Sequence, residues 1–179
     1  MKGREIVVGV SGSIAAYKAA DVVSKLVQRG AGVTVVMTRA ATHFVGPLTF
    51  QTLTRRRVFS DPFDLDAIAD PTHISLTDKA DLVLLAPATA DLLAKAAHGI
   101  ADEMITSLLL AVDCPVLVAP AMNDRMWSHP ATKDNVKILR KRGYRFVEPG
   151  KGFLACGHYA KGRLAEPAEI LEAVGALLK

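Results

Sequence analysis

Aromatic residues make up only 6% of the 179-residue chain, and cysteine occurs twice, at Cys114 and Cys156. Two cysteines cannot staple a small secreted scaffold, and the first residues lack the charged, apolar and small-residue order of a secretory leader. A reducing cytoplasm is the expected setting. No apolar run approaches the roughly 18 residues of a membrane span, because Pro87, Asp91, Lys95, Asp113 and Pro115 break the richest stretches. Charged residues are sparse at 22% against 50% hydrophobic, and the mean hydropathy is +0.25. Disorder and a coiled coil are excluded, and the length fits one α/β domain over residues 1–179 with a single substantial core.

Several signatures are also missing. No G-x-S-x-G elbow occurs, so a hydrolase triad has no nucleophile turn. His43, His73, His98, His129 and His158 show neither H-x-x-x-H spacing nor a C-x-x-C companion, which makes a metal site weak. The net charge of +4 is modest, and only Arg55, Arg56 and Arg57 form a dense cationic run. Without interleaved aromatics that run reads as a solvated loop before it reads as a phosphate or nucleic-acid contact.

What is present is an alternation of β-branched apolar runs with segments of helical period, the pattern of parallel strands joined by crossover helices. Strands are predicted at Glu5–Val10 (EIVVGV), Gly32–Met37 (GVTVVM), 81–86 (DLVLLA, ended by Pro87), 115–119 (PVLVA) and 144–147. Helices are predicted after the Ser11-Gly12-Ser13 turn with a stripe at Ala15, Ala19, Val22, Val23, Leu26 and Val27, and over 91–98, 102–111, 130–142 and 167–178. Thr38 is placed to cap a short helix that breaks at Gly46-Pro47, residues 55–72 read as an irregular excursion, and His73 heads a short segment entering the sheet. The fold class is a three-layer, doubly wound parallel sheet of flavodoxin or Rossmann type. Ligands of such sheets bind beyond the carboxyl ends of the strands, so the loops there are the candidates.

The first, Gly9 to Lys18, is neither a G-x-G-x-x-G nor a Walker loop; its glycines and the following helix suit either an anionic group or a tight turn. The loop at 86–91 offers Thr89 among small residues, either against a flat ring or as a helix cap. In the loop at 120–127, Asn123 suits a turn or a substrate-binding amide. His73 is either structural or a proton carrier, and Cys156, in a loop near Gly150-Lys151-Gly152, is either packing or a reactive thiol. Cys114, beside a buried strand, reads as structural.

Taken together, GSIAAYK at 12–18, HISL at 73–76, LAPATADLLAK at 85–95, PAMNDRMW at 120–127 and ACG with GRL at 155–157 and 162–164 resemble the flavin-dependent cysteine decarboxylase family over nearly the whole chain. The resemblance implies bound FMN, with Gly12, Ser13 and Ile14 at its phosphate and Thr38, Arg39, Thr89, Ala90, Asp91 and Ala121 close by. It implies His73 as catalytic base, Asn123 with Met122 on the substrate, its amide on the carboxylate, and Cys156 as proton donor. The implied activity is decarboxylation of 4'-phosphopantothenoylcysteine to 4'-phosphopantetheine in coenzyme A biosynthesis, through thioaldehyde and enethiolate intermediates. Such a route needs no external nicotinamide, because the flavin takes a hydride and returns it.

Three features depart from the family pattern: Asp91-Leu92 where relatives often have Asn-Thr, Tyr159-Ala160-Lys161 before Gly162, and no ligase part within these residues. The resemblance also implies a homotrimer, which in the family often assembles further into a dodecamer, with the substrate phosphate met by Lys18, Lys151, Lys161 or the arginine run across a subunit interface. The rival readings are a peptidyl-cysteine decarboxylase, a flavin prenyltransferase and a non-catalytic flavoprotein subunit.

Overall fold

The computed structural model describes residues 1–61 and 72–179, with Thr72 and His73 described by their backbone alone. Its centre is a five-stranded, wholly parallel sheet in the order β2-β1-β3-β4-β5. The strands are β1 Glu5–Val10, β2 Gly32–Met37, β3 Leu82–Ala88, β4 Val116–Pro120 and β5 Arg145–Phe146. β1, β3 and β4 read as continuous apolar runs because both of their faces are covered.

Side chains alternate between two cores, as the period of a strand requires. Ile6, Val8 and Val10 pack with α1 (Ala16–Gln28), Phe50 of α2 (Pro47–Thr54) and Ile170, Leu171 and Val174 of α8 (Pro167–Leu177). On the other face Val7, Val83 and Leu85 meet α4 (Ala90–His98), α5 (Met104–Ala111) and α7 (Pro130–Lys141). The helix ends follow their local chemistry. Gly30 and Gly143 take positive φ just past α1 and α7. Pro occupies the first turn of α2, α7 and α8. Thr38 caps the 3₁₀ turn Arg39–His43 by accepting the Ala41 amide at 3.1 Å.

The structure corrects four expectations. β3 does not stop at Pro87: it runs to Ala88 through a cis Ala86–Pro87 peptide, at a register shift where the ladder to β4 asks no N–H of the proline. His73 does not head a strand: its backbone lies in the first turn of α3 (Thr72–Lys79), while its side chain is outside the description. Within the 55–72 stretch, whose residues 62–71 are not described, Phe59 pairs in parallel with Val36 and lengthens the sheet at its β2 edge. Residues 150–163, for which only a loop around Cys156 is predicted, form an antiparallel hairpin of β6 (Gly150–Phe153) and β7 (Tyr159–Arg163). α2 and the five-residue α6 (Asp124–Ser128) are further additions.

The arginine run is structural. Arg56 forks onto Glu5, at 2.5 and 3.0 Å, and Arg57 lies over the Phe59 ring. Glu5 opens β1, so this brace is at the amino end of the sheet, opposite the strand ends where a ligand would bind. The Arg56 guanidinium holds the Glu5 carboxyl below its usual range and is itself raised by that partner.

Candidate active site

The strand order reverses between β1 and β3, and the loops leaving these two strands are tied at that point by Ser11. Its buried hydroxyl donates to the Pro87 carbonyl at 2.7 Å and accepts the Thr89 amide at 2.9 Å. Gly12 follows because nothing larger fits: a Cβ there would stand 2.5 Å from the Ala40 Cβ and 3.0 Å from its carbonyl carbon. The tie brings the start of α4 beside the β1–α1 loop. Among the described residues the Gly12 and Ile14 amides, and the Ala90 and Asp91 amides in the first turn of α4, donate to no protein acceptor. These are the free donors that a helix start and a glycine turn present to an anion.

Gly12, Ala90 and Asp91 line a cavity of about 600 Å³ together with Thr38, Arg39 and Thr89, while Ile14 lines the space next to it. Six of the nine expected cofactor contacts therefore share one cleft. Thr89 also caps α4, accepting the Leu92 amide at 3.3 Å, as its cap reading expects. The acid of Asp91 turns to Lys95, 3.5 Å away, which also meets Asp102 at 2.9 Å and Glu103 at 3.8 Å. The Asp102 hydrogen bond leads the effects that raise the Lys95 pKa. Glu103 reaches across to the Arg39 amide at 3.1 Å, joining α5 to the loop after β2. Arg39 and Lys95 stand on these walls against Asp91 and Glu103, so the charged side chains balance and the free amides of Gly12, Ala90 and Asp91 add donors for an anion.

Ser13, Ile14, Ala121, Met122, Asn123 and Cys156 line an adjoining cavity of about 350 Å³, the next residue along from Gly12. Here Lys18 and Arg163 line the space and share one carboxylate, Glu166, at 3.1 and 3.3 Å. The Asn123 side chain does two things. Its Oδ1 accepts the Arg125 amide at 2.9 Å and starts α6, and a main-chain N–H can only donate, so the amide nitrogen must face the other way. That nitrogen donates to the Cys156 Sγ at 3.2 Å. The turn reading and the binding reading of Asn123 are compatible because they use different atoms.

Cys156 lies at the tip of the β6–β7 hairpin, which is clasped to the β4–α6 loop at Gly162. The Met122 amide donates to the Gly162 carbonyl at 3.0 Å, and Gly162 has φ +156°, with the space for a Cβ already filled by the Met122 carbonyl oxygen. At the base, Glu148 pairs with Lys161 at 2.8 Å and Arg140 at 2.6 Å. Lys161 first, and then Arg140, hold its carboxyl below the ordinary range against the opposing effect of burial.

Cys156 has a second neighbour, His158, with Nδ1 at 3.5 Å, and the His158 Nε2 meets Asp124 Oδ1 at 2.9 Å. The donor atoms of Asp124, Cys156 and His158 lie within 4.8 Å of one another, with His158 hydrogen-bonded to each of the other two. Burial raises the Asp124 pKa, and the His158 hydrogen bond and charge outweigh it, leaving the carboxyl below its ordinary value. Cys114 belongs elsewhere, against the second core, where burial pushes its thiol up.

Ser11, Gly162, Arg163, Glu166 and the Asp124–His158 pair are absent from the sequence-derived site. Only the strand-end position of Ser11 and the Gly-Arg string at 162–163 could have signalled any of them.

A parallel sheet with helices on both faces, a cleft of free amides at its topological switch and a second cavity holding a thiol, an amide and two cations define a doubly wound α/β protein. The chain belongs to the Flavoprotein family, matched over residues 1–179. It is 50% identical over 172 residues to the coenzyme A biosynthesis bifunctional protein CoaBC of Bacillus subtilis, covering 96% of this chain and 42% of that protein; the chain thus spans about two-fifths of the curated relatives it matches. Among solved structures, a PPC decarboxylase cysteine-to-serine mutant complexed with pantothenoylaminoethenethiol aligns with a TM-score of 0.90 at 32% identity, covering 98% of both chains. The FMN-dependent cysteine decarboxylase SpaF aligns at 0.82 and 35% identity, covering 96% of this chain and 98% of SpaF.

Proposed function

We propose that the chain is an FMN-dependent decarboxylase that converts 4'-phosphopantothenoylcysteine to 4'-phosphopantetheine in coenzyme A biosynthesis. The observation that carries this reading is the 3.2 Å contact between the Asn123 amide and the Cys156 thiol in a cavity that also holds Lys18 and Arg163. A neutral donor and a proton source stand at one side, with two cations to receive a phosphate. A peptide substrate would have little use for the latter.

The residues fit the cofactor. The free amides of Gly12, Ala90 and Asp91 line the cavity of about 600 Å³ and suit the FMN phosphate, with the Ile14 amide in the adjoining space. When bound, the flavin supplies the electron sink that cysteine itself lacks, since direct loss of carbon dioxide would leave an unstabilised carbanion. Asn123 orients the substrate carboxylate through the neutral Nδ2 donor, without the firm hold on its charge that an arginine would exert. His73 is assigned as the base at the oxidation step, and Cys156 as the donor of the final proton to the enethiolate carbon.

Ile14, Tyr17, Phe153 and Tyr159 are exposed around this cavity, a surface that a second copy of the chain would cover. A homotrimer, assembled further into a dodecamer, is the expected state, acting in the cytoplasm. The ligase reaction of a bifunctional relative is assigned to sequence outside these residues. Among the described residues no helix is long and apolar enough to cross a membrane.

The test is to incubate the flavin-loaded protein with 4'-phosphopantothenoylcysteine and measure carbon dioxide and phosphopantetheine. Full loading without turnover would overturn the reading. His73→Asn should abolish carbon dioxide release, and Cys156→Ser should release it while accumulating the oxidised enethiol.

A further inference from the structure

Every turnover of a decarboxylase draws one proton from solvent, because loss of carbon dioxide from a carboxylate leaves an electron pair on carbon that must be protonated. If Cys156 delivers that proton, its thiolate has to be recharged before the next cycle. The structure puts a group suited to this beside it. His158 Nδ1 is 3.5 Å from the Cys156 Sγ, its Nε2 is 2.9 Å from Asp124 Oδ1, and the imidazole is half exposed. These three residues come from two elements, α6 and the hairpin tip, that meet only because Gly162 is clasped to Met122.

We propose that His158, held by Asp124, is the proton relay that returns Cys156 from thiolate to thiol, a role that rests on reading Cys156 as the proton donor. In the resting state the neutral imidazole keeps its proton on Nε2, donated to Asp124, and turns the Nδ1 lone pair to the thiol. After the S–H bond of Cys156 breaks and a C–H bond forms on the substrate, Nδ1 takes a proton from hydronium or a buffer acid. Asp124 stabilises the imidazolium that results. The Nδ1–H bond then breaks as the S–H bond reforms, leaving His158 neutral and the thiol ready. One solvent proton is consumed and no electrons move.

The orientation is fixed because each partner of His158 is itself fixed. Asp124 is the first residue of α6 behind the Asn123 cap, and Cys156 is held from its other side by the Asn123 amide. The Asp124 carboxyl, kept ionised by its partner, is the group that selects the Nε2–H tautomer.

The experiment uses the flavin-loaded full chain. In His158→Ala the ratio of phosphopantetheine to carbon dioxide should fall about tenfold, less than the roughly hundredfold or more of a positioned acid or base because water also reaches the thiolate. Added imidazole should restore it, which a purely structural role of His158 would not allow. Asp124→Asn should lower the ratio in the same direction. Independently of turnover, long-range ¹H–¹⁵N spectra of the labelled protein should show His158 as the Nε2–H tautomer, a preference lost in Asp124→Asn.

An unchanged ratio in His158→Ala, while Cys156→Ser accumulates oxidised product, overturns the relay and leaves the decarboxylase reading intact. A resting Nδ1–H tautomer also overturns it. Normal product from Cys156→Ser removes the proton-donor role and the relay with it, and is told apart by that variant alone.

Discussion

Replacing Gly162 by alanine tests whether the hairpin is docked where the site needs it. The position has φ +156° and its Cβ would overlap the Met122 carbonyl oxygen, a backbone atom that cannot swing aside as a side-chain end would. Overpacking of this kind costs about 1–3 kcal/mol. The chain need not unfold to relieve it, because lifting the hairpin off the β4–α6 loop is cheaper than breaking the sheet. The cost therefore appears as a shift of roughly 5- to 150-fold in the equilibrium between docked and lifted hairpin. Hydrogen exchange at the Met122 amide reads this directly, since that amide donates to the Gly162 carbonyl at 3.0 Å. Protection at Met122 should fall by that factor while amides of β1 and β3 keep theirs, and the yield of reduced product should fall with it. Met122 protection unchanged within about twofold would refute the clasp and, with it, the way Cys156 is brought to Asn123.

Other substitutions address the remaining parts. Ser11→Ala leaves the half-buried Thr89 N–H without its acceptor and should cost about 1 kcal/mol, seen as a urea midpoint lowered by about 0.5 M at a slope near 2 kcal/mol/M; a shift no larger than that of Ser24→Ala, a serine of the partly exposed face of α1, would refute the tie. Gly12→Val should lower the flavin content of the purified protein, read from its visible absorbance, because the new side chain meets Ala40; full retention would deny the loop its place in the cleft. Glu148 titrates lower folded than unfolded, so its contribution to the hairpin base is present above the ordinary carboxylate range and is lost as pH falls through the folded value. Hairpin amides should therefore exchange faster on acidification after correction for intrinsic rates, and Glu148→Gln should remove that dependence; an unaltered acid response would refute the assignment.

The parts of this protein legible in the sequence are those where one physical signal decides. β1, β3 and β4 lie inside the sheet and read as apolar runs, β2 at its edge keeps the β-branched pattern, and α7 carries Pro at its start and Gly143 just past its end. The strand-end rule selects the loops that hold Gly12, Thr89 and Asn123, and these residues line two neighbouring cavities. The hairpin carries no such signal. Gly150-Lys-Gly-Phe and Tyr-Ala-Lys-Gly-Arg show little apolar alternation, because the hairpin is held by ion pairs and backbone contacts and not by burying a face. α3, with the string THISLTDK, has no strong apolar stripe either. Pairings such as Ser11 with Thr89 and Asp124 with His158 depend on loops 78 and 34 residues apart meeting in space, and no local pattern encodes that.

Asn123 allows the structural and chemical demands on one residue to be separated. Its Oδ1 starts α6 and its Nδ2 faces the thiol, so a side chain that keeps the acceptor and loses the donor removes one function alone. Aspartate does this: Asn and Asp are equivalent helix caps, and the Arg125 amide keeps its partner. Alanine removes both, and should cost about 0.5–2 kcal/mol through the cap. Asn123→Asp should therefore unfold within about 0.5 kcal/mol of the parent while losing most of its turnover, because a carboxylate now faces the substrate carboxylate where a donor stood. Asn123→Ala should lose both stability and turnover. Near-parental turnover in Asn123→Asp would show that the amide holds the turn and nothing else. Equal destabilisation in the two variants would show that the cap is not what Oδ1 contributes, and the division of labour between its two atoms would fall.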